Sequence, residues 1–326
     1  MRSDSAGCAP LAEPEAVGVP TVVGVSIRRH KRIPDVYAFR YDNIRIFTDL
    51  YVQAEAMGAR VVVPEDETAY LDAPAIGDAS RIGSLRAADP EHDGCLPKHL
   101  EAARIAVKEV GGEVPVTVAV TGPFTNASFL IGTENLVRLA LKEPASVHRL
   151  CETSLETSLA YAEAIMKTGA TPSLTDPMSS STVISPALFR RFSLPYLTRL
   201  IDCVHRAGRK VTLHICGKTN KIWKDMVDTG ADCLSVDNRI DLTEACREVG
   251  GAVRLMGNVD PSDVMLLGTP DRVREAVRRC VRQAGRAPKG LVVASGCSLP
   301  TETPFDNIHA MVDAVREIGF PLGEAN

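Results

Sequence analysis

Lys210-Val211-Thr212-Leu213-His214-Ile215-Cys216-Gly217 is a short apolar run that ends in two soft ligands and a glycine. Its first four residues read as a β-strand entering a turn. His214 and Cys216 stand at i and i+2, so at an extended strand end their side chains leave one face. About eighty residues later, Leu291-Val292-Val293-Ala294 repeats the layout and runs into Ser295-Gly296-Cys297. Zinc binds imidazole and thiolate, and a catalytic zinc takes three protein ligands with one position open. His214, Cys216 and Cys297 form such a set, whose open position would accept a thiol and hold it as a reactive thiolate. A free cysteine is also an ordinary small buried hydrophobe. Position favours the metal, because both pieces end strands and enter glycine turns, where a barrel enzyme keeps its chemistry.

Outward from this stretch, the chain alternates short apolar runs with longer amphipathic ones. Strands are predicted at 116–120, 173–175, 210–213, 233–236, 253–256 and 291–294, with two earlier ones at 21–25 and 44–47. Helical patterns fill 135–141, 145–168, 186–207, 221–229, 242–249 and 269–284. Strand–helix alternation implies parallel strands with right-handed crossovers. Eight strands predict a (β/α)8 TIM barrel rather than an open sheet. Ser185-Pro186 and Thr269-Pro270 are N-caps followed by proline, and Gly208 and Gly230 stand at expected helix ends. Residues 65–98 are rich in Asp, Pro and Gly and lack a clear period, which predicts a lid-like insertion beside the barrel mouth. The expected division is an atypical N-terminal segment over 1–40 and a single barrel domain over 41–326.

The strand ends are chemically alike. One reaches Thr48-Asp49, another Thr121-Gly122-Pro123, and a third Asp176-Pro177. The later ones reach His214, Asp237-Asn238, Gly257-Asn258-Val259-Asp260 and Cys297. A single Asp after a strand is an ordinary turn or cap residue. Seven such endings at once predict an active-site rim, with Asp176, Asp237 and Asn258 orienting the metal ligands or the substrate.

Composition limits the alternatives. The chain has 326 residues, 45% of them hydrophobic, and a net charge of -4, which gives no reason to expect nucleic acid or an anionic membrane as partner. No apolar run reaches the length of a membrane span, and residues 1–20 lack the basic-then-apolar layout of a signal peptide. Nine scattered cysteines do not make a compact disulfide framework. The expected location is the cytoplasm.

The runs ASGCSLPTETPFDNIHAMVDAV and HICGKTNKIWKDMVDTGADCLSVDNRIDL, with TDPMSSSTVISPALFRRFSLPYL before them, resemble the uroporphyrinogen decarboxylase superfamily. More narrowly, the chain resembles its zinc-dependent corrinoid methyltransferase branch, the methylcobalamin:coenzyme M methyltransferases and relatives acting on methyl donors. The similarity covers roughly residues 41–320. It implies a zinc held by His214, Cys216 and Cys297, and methyl transfer between a corrinoid and a small-molecule thiol such as coenzyme M, or from a methoxy or methyl donor to the corrinoid. The corrinoid would act as co-substrate, presented by a separate corrinoid protein. Two departures stand out. The N-terminal forty residues are short for the family. Phe47-Thr48-Asp49-Leu50 is similar to the segment in which the decarboxylases carry their catalytic aspartate. Asp49 therefore keeps a second expectation open, decarboxylation of a tetrapyrrole carboxylate. The Arg28-Arg29-His30-Lys31-Arg32 cluster reads as a solvated loop, with pairing to the propionates of a tetrapyrrole as the other reading.

Overall fold

A computed structural model describes residues 21–22, 42–46, 49–64 and 68–319. Eight parallel strands form one curled sheet: β1 (Thr21–Val22), β2 (Ile44–Ile46), β5 (Val116–Thr121), β6 (Thr171–Thr175), β7 (Thr212–Ile215), β8 (Cys233–Val236), β9 (Arg254–Met256) and β10 (Leu291–Ala294). Their order is β1-β10-β9-β8-β7-β6-β5-β2. Every neighbour is the next strand of this series, and the last pairs with the first, Thr21 opposite Val293. This is the (β/α)8 barrel that the alternation predicts. Between the strands run α2 (Leu96–Val110), α3 (Pro123–Ile131), α4 (Thr133–Lys142), α5 (Pro144–Lys167), α6 (Pro186–Phe192), α7 (Leu194–Arg206), α8 (Trp223–Asp228), α9 (Leu242–Val249) and α10 (Pro270–Ala284). They are preceded by α1 (Val52–Ala56) and followed by α11 (Phe305–Ile318). Among the described residues, no helix is long and apolar enough to cross a membrane.

Alternation along the strands divides the barrel into two chemistries. Ile44, Ile46, Val116, Val118, Val120, Leu174, Leu213, Ile215, Leu234, Val236, Leu255, Leu291 and Val293 all belong to the apolar core between strands and helices. The residues between them face the barrel axis. There the register aligns Thr121, Thr175, His214, Ser235 and Met256 strand by strand. Ala119, Cys233, Val292 and Ala294 are buried yet lie outside the apolar core. Barrel interiors are commonly filled with Val, Ile and Leu. This one is lined mainly with hydroxyls and small side chains.

Several boundaries differ from the sequence expectation. The strand expected over 210–213 runs Thr212–Ile215, so His214 lies inside it rather than in the following turn. The single helix expected over 186–207 is two, because Pro195 lacks the N–H that a continuous helix needs and its ring crowds the preceding turn. The Ser185 and Thr269 caps are as expected, their side chains accepting the Leu188 and Arg272 N–H. Helices α1, α2, α3 and α11 were not anticipated. Before and within the expected insertion stands a hairpin of β3 (Arg60–Val62) and β4 (Tyr70–Ala73), followed by a 3-10 turn over Ala79–Ser84. Backbone bonds fasten this segment, Ile76 N–H to Leu130 O on α3 and Ala88 N–H to Thr157 Oγ1 on α5. Of the expected N-terminal segment, only Thr21–Val22 is described, and the 28–32 basic cluster lies outside the described residues.

Candidate metal centre

His214 Nε2 lies 2.9 Å from Cys216 Sγ and 3.9 Å from Cys297 Sγ, and the two sulfurs are 3.8 Å apart. β7 and β10 are three places apart in the sheet. In a flat sheet the two ends would be about 14 Å apart, at roughly 4.8 Å per strand. The ligands meet because the sheet curls. Two sulfurs at about 2.3 Å from a tetrahedral zinc are themselves about 3.8 Å apart. The spacing between Cys216 and Cys297 has that value. Among the described residues this is the only group of His, Cys, Asp or Glu donors compact enough to hold a metal ion.

The residues around the cluster prepare its donors. His214 Nδ1 is 3.1 Å from both the carbonyl and the hydroxyl oxygen of Ser235, its register partner on β8. A carbonyl only accepts, so Nδ1 carries the proton and Nε2 turns its lone pair to the cluster. The sulfurs are unequal. Cys216 donates to Cys297, which with the nearby His214 pulls the Cys297 thiol down to about 4, while Cys216 is driven far above the ordinary thiol range. A bound cation would replace the protons of both thiols. Gly217 has φ +75°, which lets the chain turn directly after Cys216. Gly296 carries the opposite turn against the Asn238 backbone, where a β-carbon would lie 2.3 Å from the nitrogen.

The carboxylates expected at the rim take distinct places. Asp237 accepts the Gly217 N–H at 2.7 Å and the Arg239 N–H at 2.9 Å, fastening the turn that bears Cys216. Asn258 donates to the backbone oxygens of Asp237 and Ile240, at 2.9 and 2.7 Å, and so braces that loop from β9. Both act on the cluster through the backbone. Asp176 is fully buried and turned elsewhere: it accepts the Thr125 N–H in the first turn of α3 and the hydroxyls of Ser179 and Ser193. Burial pushes its carboxyl up against those bonds. Helix α3 begins after Gly122, which has no side chain to cap it, and Asp176 supplies that cap from β6. The expectation that Asp176 orients ligands or substrate is thus corrected to a cap, because its oxygens are engaged by the helix and the serines. Asp49 accepts the Tyr51 N–H at 2.9 Å, and burial, with a smaller contribution from the Asp49 charge, raises the phenols of Tyr51 and Tyr161.

A cavity of about 590 Å³ opens beside Cys216 and is lined by Thr182, Asp237, Asn238, Arg239 and Asp260. If the three donors held a metal, this cavity would give substrate access to it beside Cys216. Sequence reasoning passed over Ser235 and Arg45. Arg45 alternates with Ile44 and Ile46, and this alternation is a signal that it points inward.

Residues 33–318 match the family model described as uroporphyrinogen decarboxylase (URO-D). The chain belongs to the uroporphyrinogen decarboxylase family. Within it, the chain is 34% identical to methylcobamide:CoM methyltransferase MtaA of Methanosarcina barkeri over 68% of its own length and 64% of the relative's, so it spans less than two thirds of that protein. It is 29% identical to uroporphyrinogen decarboxylase of Psychromonas ingrahamii over 87% of this chain and 80% of that one. A solved methyltransferase from Methanosarcina mazei superposes with a TM-score of 0.83 at 26% identity, covering 94% of this chain and 95% of the other. Family membership therefore includes both methyl transfer and decarboxylation, and the residues must decide between them.

Proposed function

We propose that this family member is a zinc-dependent methyltransferase that moves a methyl group between a corrinoid substrate and a small thiol. The observation that carries the reading is the His214–Cys216–Cys297 cluster at the barrel mouth, two sulfurs and one oriented imidazole with a cavity beside them. A zinc ion held there would supply a Lewis-acid position at which a thiol loses its proton yet stays nucleophilic. Ser235 keeps the Nε2 lone pair of His214 aimed at the cluster. Asp237 and Asn258 hold the Cys216 turn rigid. In the transfer, a C–S bond forms as the Co–C bond breaks and the electron pair stays on cobalt. The reverse reaction, from a methyl or methoxy donor to the corrinoid, uses the same position.

Similarity to the methylcobamide:CoM enzyme supports coenzyme M as the thiol and a corrinoid protein as the partner. All eight described cysteines are free, in keeping with a reducing cytoplasm. Asp49 and the decarboxylase relatives support the second reading, decarboxylation of a tetrapyrrole. That reaction has no use for three converging soft ligands.

Metal analysis combined with an optical assay tests the proposal. The full chain is expected to hold about one zinc and to demethylate methylcobalamin, or a methylated corrinoid protein, with an added thiol. His214→Ala is expected to lose both, with zinc affinity falling more than the roughly 10–100-fold that accompanies loss of a group behind a ligand. If metal-free protein instead decarboxylates uroporphyrinogen at a rate that Asp49→Ala destroys, the methyltransferase reading is wrong.

A further inference from the structure

β2 reads Ile44-Arg45-Ile46, and its alternation puts the two isoleucines in the apolar shell and Arg45 inside the barrel. The side chain passes β5 to reach β6, where Nη2 donates to Thr175 Oγ1 at 2.9 Å. Thr175 is the register partner of His214. The guanidinium therefore reaches the strand next to the one that bears His214. Its Nε is closed off from solvent and has no hydrogen-bond partner.

No described carboxylate pairs with it. Arginine has five N–H donors, and among the described residues Thr175 is its one hydrogen-bond partner. Burial lowers its pKa, and negative charge on the cluster sulfurs offsets part of that. A buried cation with unused donors is costly unless something anionic joins it. The neighbouring inward positions, Ala119 and Ser173, are small. The free Nε edge is one of those by which arginine takes an oxyanion through two parallel N–H bonds.

We propose that Arg45 is the specificity residue of the site, binding an anionic oxygen group carried by the same small thiol whose sulfur occupies the His214–Cys216–Cys297 position. The proposal rests on the methyl-transfer reading above. The ligand is held at both ends, the sulfur at the cluster and the carboxylate or sulfonate a few bonds away on the guanidinium. A neutral thiol of equal length keeps only the first contact.

Thiol binding to the cobalt-substituted full chain tests this without turnover, because sulfur-to-cobalt absorption reports each thiol entering the metal position. The probes are 3-mercaptopropionate, 2-mercaptoethanesulfonate and neutral 2-mercaptoethanol. The native protein is expected to bind the two anions at least about tenfold more tightly than the alcohol, as one charge-assisted hydrogen-bond pair provides. Arg45→Met, compared at equal cobalt content, is expected to lose that preference while its affinity for 2-mercaptoethanol stays the same. Arg45→Lys is expected to keep part of it, as a point charge without the fork. Native protein that binds all three thiols equally overturns the proposal, and so does Arg45→Met protein that keeps the preference. Equal weakening of every thiol in Arg45→Met also overturns it, since the residue then acts only on the cluster. If no thiol reaches the cobalt of the native protein, the methyl-transfer reading falls as well, an outcome distinct from binding without preference.

Discussion

The two faces of the barrel strands differ more than their shared backbone suggests. Outward, Leu174, Leu213, Leu234 and Leu255 are fully buried against the helices. Inward, one residue along each strand, stand Thr175, His214, Ser235 and Met256. The outward face supplies the apolar burial that holds the barrel together. Relieved of that duty, the inward face can carry hydroxyls, an arginine and metal donors. Folding and chemistry are separated by a single residue of register, so a slip of one would exchange them.

Unfolding measurements are the most direct way to break this contrast. Leu213→Ala removes a shell side chain and leaves a cavity, for an expected loss of about 2–5 kcal/mol. Ser173→Ala, on the inward face of β6, is expected to cost below about 1 kcal/mol. Equal losses in urea titrations of the two variants would mean that the interior also carries the fold.

A smaller effect sharpens the contrast from the inside. In Asp237→Asn, an amide N–H must face one of the two backbone N–H groups that the carboxylate now accepts. The Cys216 turn loosens, and zinc affinity is expected to fall about tenfold or somewhat more, as for other groups behind a metal ligand. The urea midpoint should move far less than in Leu213→Ala. Competition with a chelator measures the first quantity, and unchanged affinity would show that the Asp237 bonds do not position the cluster.

Outside both faces, electrostatics is expected to matter least. Glu152 on α5 and Arg199 on α7 form two bonds of 2.7 Å, and hydrogen bonding to Arg199 lowers the Glu152 pKa. A lowered carboxyl favours folding at pH values above its unfolded pKa of roughly 4.5, and the contribution fades as pH falls through the folded value. Glu152→Gln is expected to cost under about 1 kcal/mol at neutral pH, because the pair is half exposed, and to cost nothing in acid. A larger loss at pH 7, or the same loss at both pH values, would contradict the assignment.

How much of this was legible in the chain depends on the kind of residue. Strand–helix alternation with caps at Ser185 and Thr269 announced the barrel, because period-two and period-3.6 apolar patterns are local properties. The break at Pro195 was not read, because the amphipathic pattern runs on through it, although the missing proline N–H is a local signal. Soft ligands at strand ends marked His214, Cys216 and Cys297, since few other roles bring imidazole and thiols to such positions. Asp176 misled, because an aspartate after a strand looks the same whether it faces substrate or caps a helix begun on the neighbouring strand.

The sequence by itself thus determined the strand and helix alternation, the apolar shell and the donor types of the candidate metal centre. These are consequences of side-chain chemistry and spacing along one segment. Only the tertiary structure decided that Cys297 meets Cys216 at 3.8 Å, that Ser235 sets the His214 tautomer, and that Arg45 reaches Thr175, the register partner of His214. Each joins residues from different strands. Their meeting depends on how far the sheet curls and in what register it closes, which no single segment encodes.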